Sequence, residues 1–230
     1  MARILLIETS TAQLSVALSE DGLVTVFKTS DEPRMQASLT APFVQEVLQE
    51  KGLKVKDLDA VCVGRGPGSY TGLRVGVSTA KGLCFGAGIP LLSIGTLDVL
   101  VQEAHRLQVV PEGCKYVVPM VDARRMEVYA AVFTPDGRQL TETKPVVVDA
   151  DSFASHLAEG PVLFIGDGAL KCREALASEN ARFAAAFPTA MAMAPLAEAA
   201  CNEKRFEDVA YFEPFYLKDF VATVSRKRLF

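Results

Sequence analysis

Tryptophan is absent from this 230-residue chain, and histidine occurs only twice, at His105 and His156. With so little imidazole, neither a histidine-based triad nor a histidine metal site is expected, and both histidines fall in helix-like segments. The five cysteines (Cys62, Cys84, Cys114, Cys172, Cys201) are scattered, odd in number and without a Cys-x-x-Cys pair. That argues for buried, reduced thiols in a reducing compartment rather than a disulfide framework. No apolar stretch reaches the roughly 20 residues of a membrane span. The first apolar run, Ile4-Leu5-Leu6-Ile7, is cut by Glu8, too early for the core of a signal peptide. A cytoplasmic protein is therefore expected. An excess of positive charge is also missing. The net charge is −4, and the one basic cluster is Arg226-Lys227-Arg228, which reads as a solvated tail. Phosphate contacts dominate nucleic-acid affinity, so this chain is not expected to bind nucleic acid except through a partner.

What is present is the balance of a globular protein, with 50% hydrophobic and 23% charged residues. Its strand and helix pattern occurs twice. Ala2 to Glu8 reads as a buried strand, Leu14 to Ser19 as a second, and Leu23 to Thr29 as a third after the Asp21-Gly22 turn. A helix from about Gln36 to Glu50 carries Leu39, Phe43, Val44, Val47 and Leu48 on one face. Pro42 should lie in its first turn or kink it. A short strand, Ala60 to Val63, leads through Gly64-Arg65-Gly66 into another helix. The second half repeats the order. Its strands are Tyr116 to Val121 with Asp122 at the end, Glu127 to Phe133, and Gln139 to Val148. There follow a helix from Ser152 to Ala158, a strand from Val162 to Ile165, Gly166-Asp167-Gly168, and a helix from Ala169 to about Ser178. Leu91 to Pro111 reads as the connection between lobes, with a helix from Thr96 to Arg106. Pro195 onward reads as one helix and an extended tail. A repeated β-β-β-α-β-α unit with an acid ending each first strand predicts an α/β protein of the duplicated actin/sugar-kinase/Hsp70-like (ASKHA, ribonuclease H-like) fold. Residues 1–100 would form the first lobe and 101–230 the second, with the tail 211–230 packing back toward the first.

The most informative stretch runs from Gly64 to Gly76. Backbone N–H groups of a glycine-rich turn before a helix can hold a phosphate, which would involve Gly66, Gly68 and Ser69. The Walker lysine is missing, however, and the glycine spacing does not fit the dinucleotide fingerprint, so a tight structural turn is the other reading. Glu8 and Asp122 would face a cleft between lobes, where acids can handle metal-bound phosphate, with Thr9, Ser10 and Thr11 as phosphate contacts. Alternatively Glu8 is solvated and the hydroxyls cap a turn. The helix after the loop holds Gly72, Gly76, Gly82 and Gly86 within it or at its end. Each interior glycine costs about 1 kcal/mol relative to alanine, which suggests close backbone approach. Gly72, Gly76 and Ala80 share a face, bordered by Thr79 and Leu83. This stripe could pack against another subunit or against the chain's own sheet.

These stretches resemble the TsaB (YeaZ) family. The similarity lies in Ile4 to Thr11 with Leu14 to Leu18, in Gly64-Arg65-Gly66-Pro67-Gly68-Ser69-Tyr70-Thr71-Gly72-Leu73-Arg74, in Val121 to Arg124 with Glu127-Val128-Tyr129, and in Glu213-Pro214-Phe215-Tyr216-Leu217. The resemblance implies a subunit of the complex that makes threonylcarbamoyladenosine beside the anticodon of tRNAs reading A-starting codons. It implies partnership with a TsaD-type catalytic subunit and a TsaE-type ATPase, self-association as a homodimer, and contact with tRNA only through the complex. The interface helices would be those from about Gln36 to Glu50 and Thr71 to Ala87, with Leu39, Phe43, Val47, Gly72, Gly76, Thr79, Ala80 and Leu83 at the contact.

Two departures from active relatives imply no catalysis by this chain. The region that carries a metal-binding histidine pair in them is here Pro33-Arg34-Met35-Gln36-Ala37-Ser38. The usual aspartate ending the first strand is Glu8, whose extra methylene displaces the carboxylate. The expectation is a scaffold with at most a weak, vestigial nucleotide site at Glu8, Thr9, Ser10, Gly66, Gly68, Ser69 and Asp122. No cofactor would be bound tightly, and the junction of the complex is the place open to ATP or ADP. The alternative is an independent ATP-dependent phosphotransferase or ATPase. A protease built on Ser69 lacks a nearby histidine.

Overall fold

Two five-stranded sheets with one topology form the frame of a computed structural model that describes residues 2–32 and 34–218. In the first sheet β1 (Arg3–Glu8), β2 (Leu14–Glu20) and β3 (Leu23–Ser30) run antiparallel. The Asp21-Gly22 turn has positive φ at both residues, as a tight hairpin needs. Helix α1 (Gln36–Glu50) then leads to β4 (Ala60–Gly66), parallel to β1, and α2 (Tyr70–Ala87) leads to β5 (Leu91–Gly95), parallel to β4. The sheet order is β3-β2-β1-β4-β5.

Helix α3 (Thr96–Arg106) crosses to the second sheet. There β6 (Tyr116–Asp122), β7 (Glu127–Ala130) and β8 (Lys144–Val147) are antiparallel, and α4 (Ala154–Glu159) precedes β9 (Val162–Ile165) and β10 (Ala181–Ala184). Its order, β8-β7-β6-β9-β10, repeats the first sheet element for element. The fold is the expected duplicated ASKHA-like α/β fold.

Several expectations are corrected. Leu91–Gly95 is not a linker but the fifth strand of the first sheet, fully buried along its length. The helix expected from Ala169 to Ser178 is reduced to a 3-10 turn, Leu170–Cys172, followed by turns into the unanticipated β10. The apolar spacing survives, because Ala169, Cys172 and Leu176 are buried, but this short crossover accommodates no regular α-helix. Strand β7 stops at Ala130, and Phe133 rejoins only as a bridge to Val117 and Gln139. Pro42 lies in the second turn of α1, and the helix continues across it. Pro42 and Ser38, whose carbonyl would have met the missing N–H, are both exposed, so water can satisfy that group.

The first sheet is covered on both faces. Helices α1 and α2 bury one face through Val44, Val47, Leu48, Val77 and Ala80. The other is covered by α5 (Ala190–Asn202), whose Ala190, Ala194, Ala197 and Ala200 lie against Ile4, Leu6, Ala17 and Cys62. This helix starts at Ala190 rather than Pro195, capped by the Thr189 hydroxyl, and it packs on the first sheet although it follows the second in sequence. Helix α3 packs on the second sheet through Leu97, Leu100, Val101 and Ala104. Its buried Glu103 accepts from Arg106 Nη2 at 2.6 Å and from Thr189 Oγ1 at 2.8 Å, which ties α3 to the start of α5. After α5 the chain returns as a strap. Glu207 N donates to Leu91 O, Val209 and Phe212 enter the α1/α2 core, and Lys81 Nζ donates to Phe212 O at 2.8 Å. The expected tail 211–230 is described only to Lys218, so its remainder, with Arg226-Lys227-Arg228, lies outside the described residues.

Candidate functional site

The β1–β2 turn and the β4–α2 loop meet at one joint. Glycines spaced by four residues build it. A Cβ on Gly64 would overlap the Glu8 carboxylate, one on Gly68 the Ser10 carbonyl, one on Gly72 the Thr9 carbonyl, and one on Gly76 the Thr9 hydroxyl. Thr9 Oγ1 in turn donates to Gly72 O at 2.8 Å. Glu8-Thr9-Ser10 thus seats directly on the backbone of α2, which only glycine permits at these points.

This geometry does not fit a bound nucleotide phosphate. The Ser69 N–H, a donor the phosphate reading needs, donates to Ser10 O at 2.6 Å. The Ser69 hydroxyl accepts from Gly72 N as the N-cap of α2. Gly66 is covered by the strap, where Phe215 N donates to Arg65 O at 2.7 Å. Glu8 is neither solvated nor open to a cleft, since it is completely buried. Its Oε1 accepts from Ser10 N at 2.6 Å, and Oε2 has no partner. Burial pushes its pKa up to about 7, against the lowering effect of the Ser10 bonds. Asp122 is exposed, paired with Lys171 and accepting from Arg124 N at 2.7 Å. Among the described residues no hydrogen bond or ion pair joins it to Glu8, and no cluster of three metal-ligating side chains occurs. A cavity of about 460 Å³ between β5, α3 and α5 is lined by Arg65, Asp98, Arg205 and Glu207 and by none of the predicted nucleotide residues. Ser69 has no base among its hydrogen-bond partners, and His156 packs edge-on against Tyr116 on the other lobe.

The predicted interface residues divide into two groups. Val47, Gly72, Gly76 and Ala80 are buried inside the chain and cannot meet another subunit; for the Gly72-Gly76-Ala80 stripe, packing against its own lobe wins. Leu39, Phe43, Thr79 and Leu83 are half-buried, and the three apolar ones line the seam between α1 and α2. Spacing alone missed the outer face of α2. Ser78, Gly82, Phe85 and Gly86 are all exposed, with Phe85 85% exposed. Nothing lies within 4 Å of where a Cβ on Gly82 or Gly86 would stand. The signal was in the sequence as a second glycine pair, at helical spacing around a phenylalanine.

Among the described residues no helix is long and apolar enough to cross a membrane. The family model described as "TsaD: tRNA N6-adenosine threonylcarbamoyltransferase" matches residues 34–225. The tRNA threonylcarbamoyladenosine biosynthesis protein TsaB of Escherichia coli K12 is 40% identical over 135 residues, covering 58% of this chain and 56% of that protein. The match thus spans little more than half the length of that relative. TsaB of Bacillus subtilis 168 is 31% identical over 167 residues, covering 71% of this chain and 70% of its own. The solved structure of YeaZ from Pseudomonas aeruginosa superposes with a TM-score of 0.82 at 28% identity, covering 94% of this chain and 100% of that one.

Proposed function

We infer the role of this chain from the family to which it belongs, the TsaB (YeaZ) family, within the wider family matched by the TsaD model. It takes part in tRNA threonylcarbamoyladenosine biosynthesis as a non-catalytic subunit of the cytoplasm. Its task is to hold a TsaD-type catalytic subunit, or a second copy of itself, and to help recruit a TsaE-type ATPase.

The observation that carries this reading is the outer face of α2. Phe85 stands 85% exposed between Gly82 and Gly86, where a Cβ would meet open space. An exposed glycine inside a helix costs about 1 kcal/mol against alanine, and no contact within this chain requires it. A neighbouring helix that approaches closely would account for both glycines and cover the ring. The half-buried seam residues Leu39, Phe43, Thr79 and Leu83 extend that face.

An independent phosphotransferase or ATPase is not adopted, because the loop's Ser69 amide and hydroxyl already have partners within the chain and Glu8 is enclosed. Any nucleotide the assembly uses is assigned to the junction between subunits. Co-purification with a TsaD-type subunit tests the reading. Phe85→Glu is expected to abolish the complex while the chain keeps its melting temperature. A folded Phe85→Glu chain that still forms the complex normally would contradict it.

A further inference from the structure

The strap and the first hairpin of the second sheet bring together cations and tyrosine rings, of which Tyr216 is exposed and Tyr70 and Tyr129 are half-buried. The Arg74 guanidinium lies 4.1 Å from the centre of the Tyr70 ring, and its Nε donates to Tyr216 Oη at 3.3 Å. The Tyr70 and Tyr216 rings are 5.0 Å apart and tilted by 40°. Two residues further along the strap, Lys218 pairs with Glu127, and its ammonium lies 5.6 Å from the centre of the Tyr129 ring. Glu127 closes the hairpin whose tip holds Arg124 and Arg125, both exposed and both left-handed, with φ of 74° and 51°. Non-glycine residues avoid that region, so this tip keeps two arginines where glycine or asparagine would be easier.

Two acids of this region are paired from within, Glu127 with Lys218 and Asp122 with Lys171, while Asp167 accepts from Asp122 N and Glu213 lies exposed on the strap. Among the described residues no carboxylate pairs with Arg74, Arg124 or Arg125. Three exposed arginines without an ion pair thus gather here, on a chain of net charge −4.

We propose that this surface contacts single-stranded RNA, with Arg124 and Arg125 on phosphates and a base stacked on the exposed Tyr216 ring beside Arg74. The inference rests on the tRNA-modification reading above and adds a direct contact made within the assembled complex. Unpaired bases stack on aromatic rings and on guanidinium planes, while backbone phosphates take arginine forks. An acidic peptide would use the cations but has no need of the tilted ring pair.

The test is a titration of an unmodified tRNA anticodon stem-loop against the complex of the full chain with its TsaD-type partner, at several salt concentrations, with complex size measured in parallel. The double variant Arg124→Asn/Arg125→Gly suits the left-handed backbone, so its melting temperature should not fall. It is expected to form the complex normally and to lower the slope of log affinity on log salt by about 1.4, at about 0.7 per phosphate of a single strand. Tyr216→Ala should weaken binding about tenfold, the lower part of the range for losing a stacked base. Unchanged affinity and slope in an intact complex would overturn the proposal. Loss of the complex itself in the hairpin variant would overturn it as well, and would make the patch a protein contact. A wild-type chain that forms no complex would sink the scaffold reading instead. The same titration on the isolated chain would then decide, with binding indifferent to these variants, or none at all, counting against the RNA surface.

Discussion

The Thr9 hydroxyl donates to the Gly72 carbonyl across 2.8 Å, and it also fills the space that a side chain on Gly76 would need. One β1–β2 turn residue thus holds two glycines of α2. The four-residue glycine spacing that suggested close backbone approach is explained by contact within the lobe.

The inner and outer glycines of α2 should respond oppositely to the same change. Gly76→Ala forces a methyl onto the Thr9 hydroxyl in a packed joint and should cost about 2 kcal/mol or more. Gly82→Ala meets open space on an exposed helix and should stabilise the isolated chain by about 1 kcal/mol. Urea denaturation of the two variants beside wild type reads both signs. Equal effects would mean that the assigned faces are wrong.

Glu8 should make stability fall as pH rises. Its folded pKa of about 7 lies above the ordinary 4.5, so the folded state binds the extra proton between those values. The contribution is fully present below about 4.5 and is lost as pH passes 7, a change of about 3 kcal/mol at about 1.4 per pH unit. Glu8→Gln keeps an acceptor for the Ser10 N–H and removes the charge. It should gain on wild type between pH 5 and pH 8 by an amount of that order. A stability difference that stays flat with pH would show that Glu8 is not held as a buried acid.

Thr189 serves two elements at once, capping α5 at Ala192 N and donating to the buried Glu103 of α3. Thr189→Ala loses both bonds and should cost about 2 kcal/mol, while Thr189→Ser should recover most of it. Thermal unfolding separates them. Equal losses would point to the Thr189 methyl, not its hydroxyl.

Much of this architecture was legible in the residues. Helices α1 and α3 begin and end where their apolar spacing placed them, and the duplicated order was visible in the paired Asp-Gly turns and paired acids. What escaped was what local pattern does not encode. Leu91–Gly95 is a short stretch with only three large apolar residues, and its identity as a strand depends on pairing with β4. Ala181–Ala184 has little strand propensity and is a strand only beside β9. Helical spacing grouped Gly72, Gly76 and Ala80 on one face but could not say that this face turns inward. Glu8 looked like a cleft acid because nothing near it in sequence announces that Gly64 closes over it.

In the proposed reading, α2 uses its inner face for the fold and its outer face for a partner. Gly82→Leu separates the two faces, because a Cβ there meets open space in this chain. The measurement is the mass in solution of the variant mixed with a TsaD-type catalytic subunit, beside wild type. The expected result is a folded variant that runs apart from the partner while wild type runs with it. A folded Gly82→Leu chain that assembles as wild type does would contradict it.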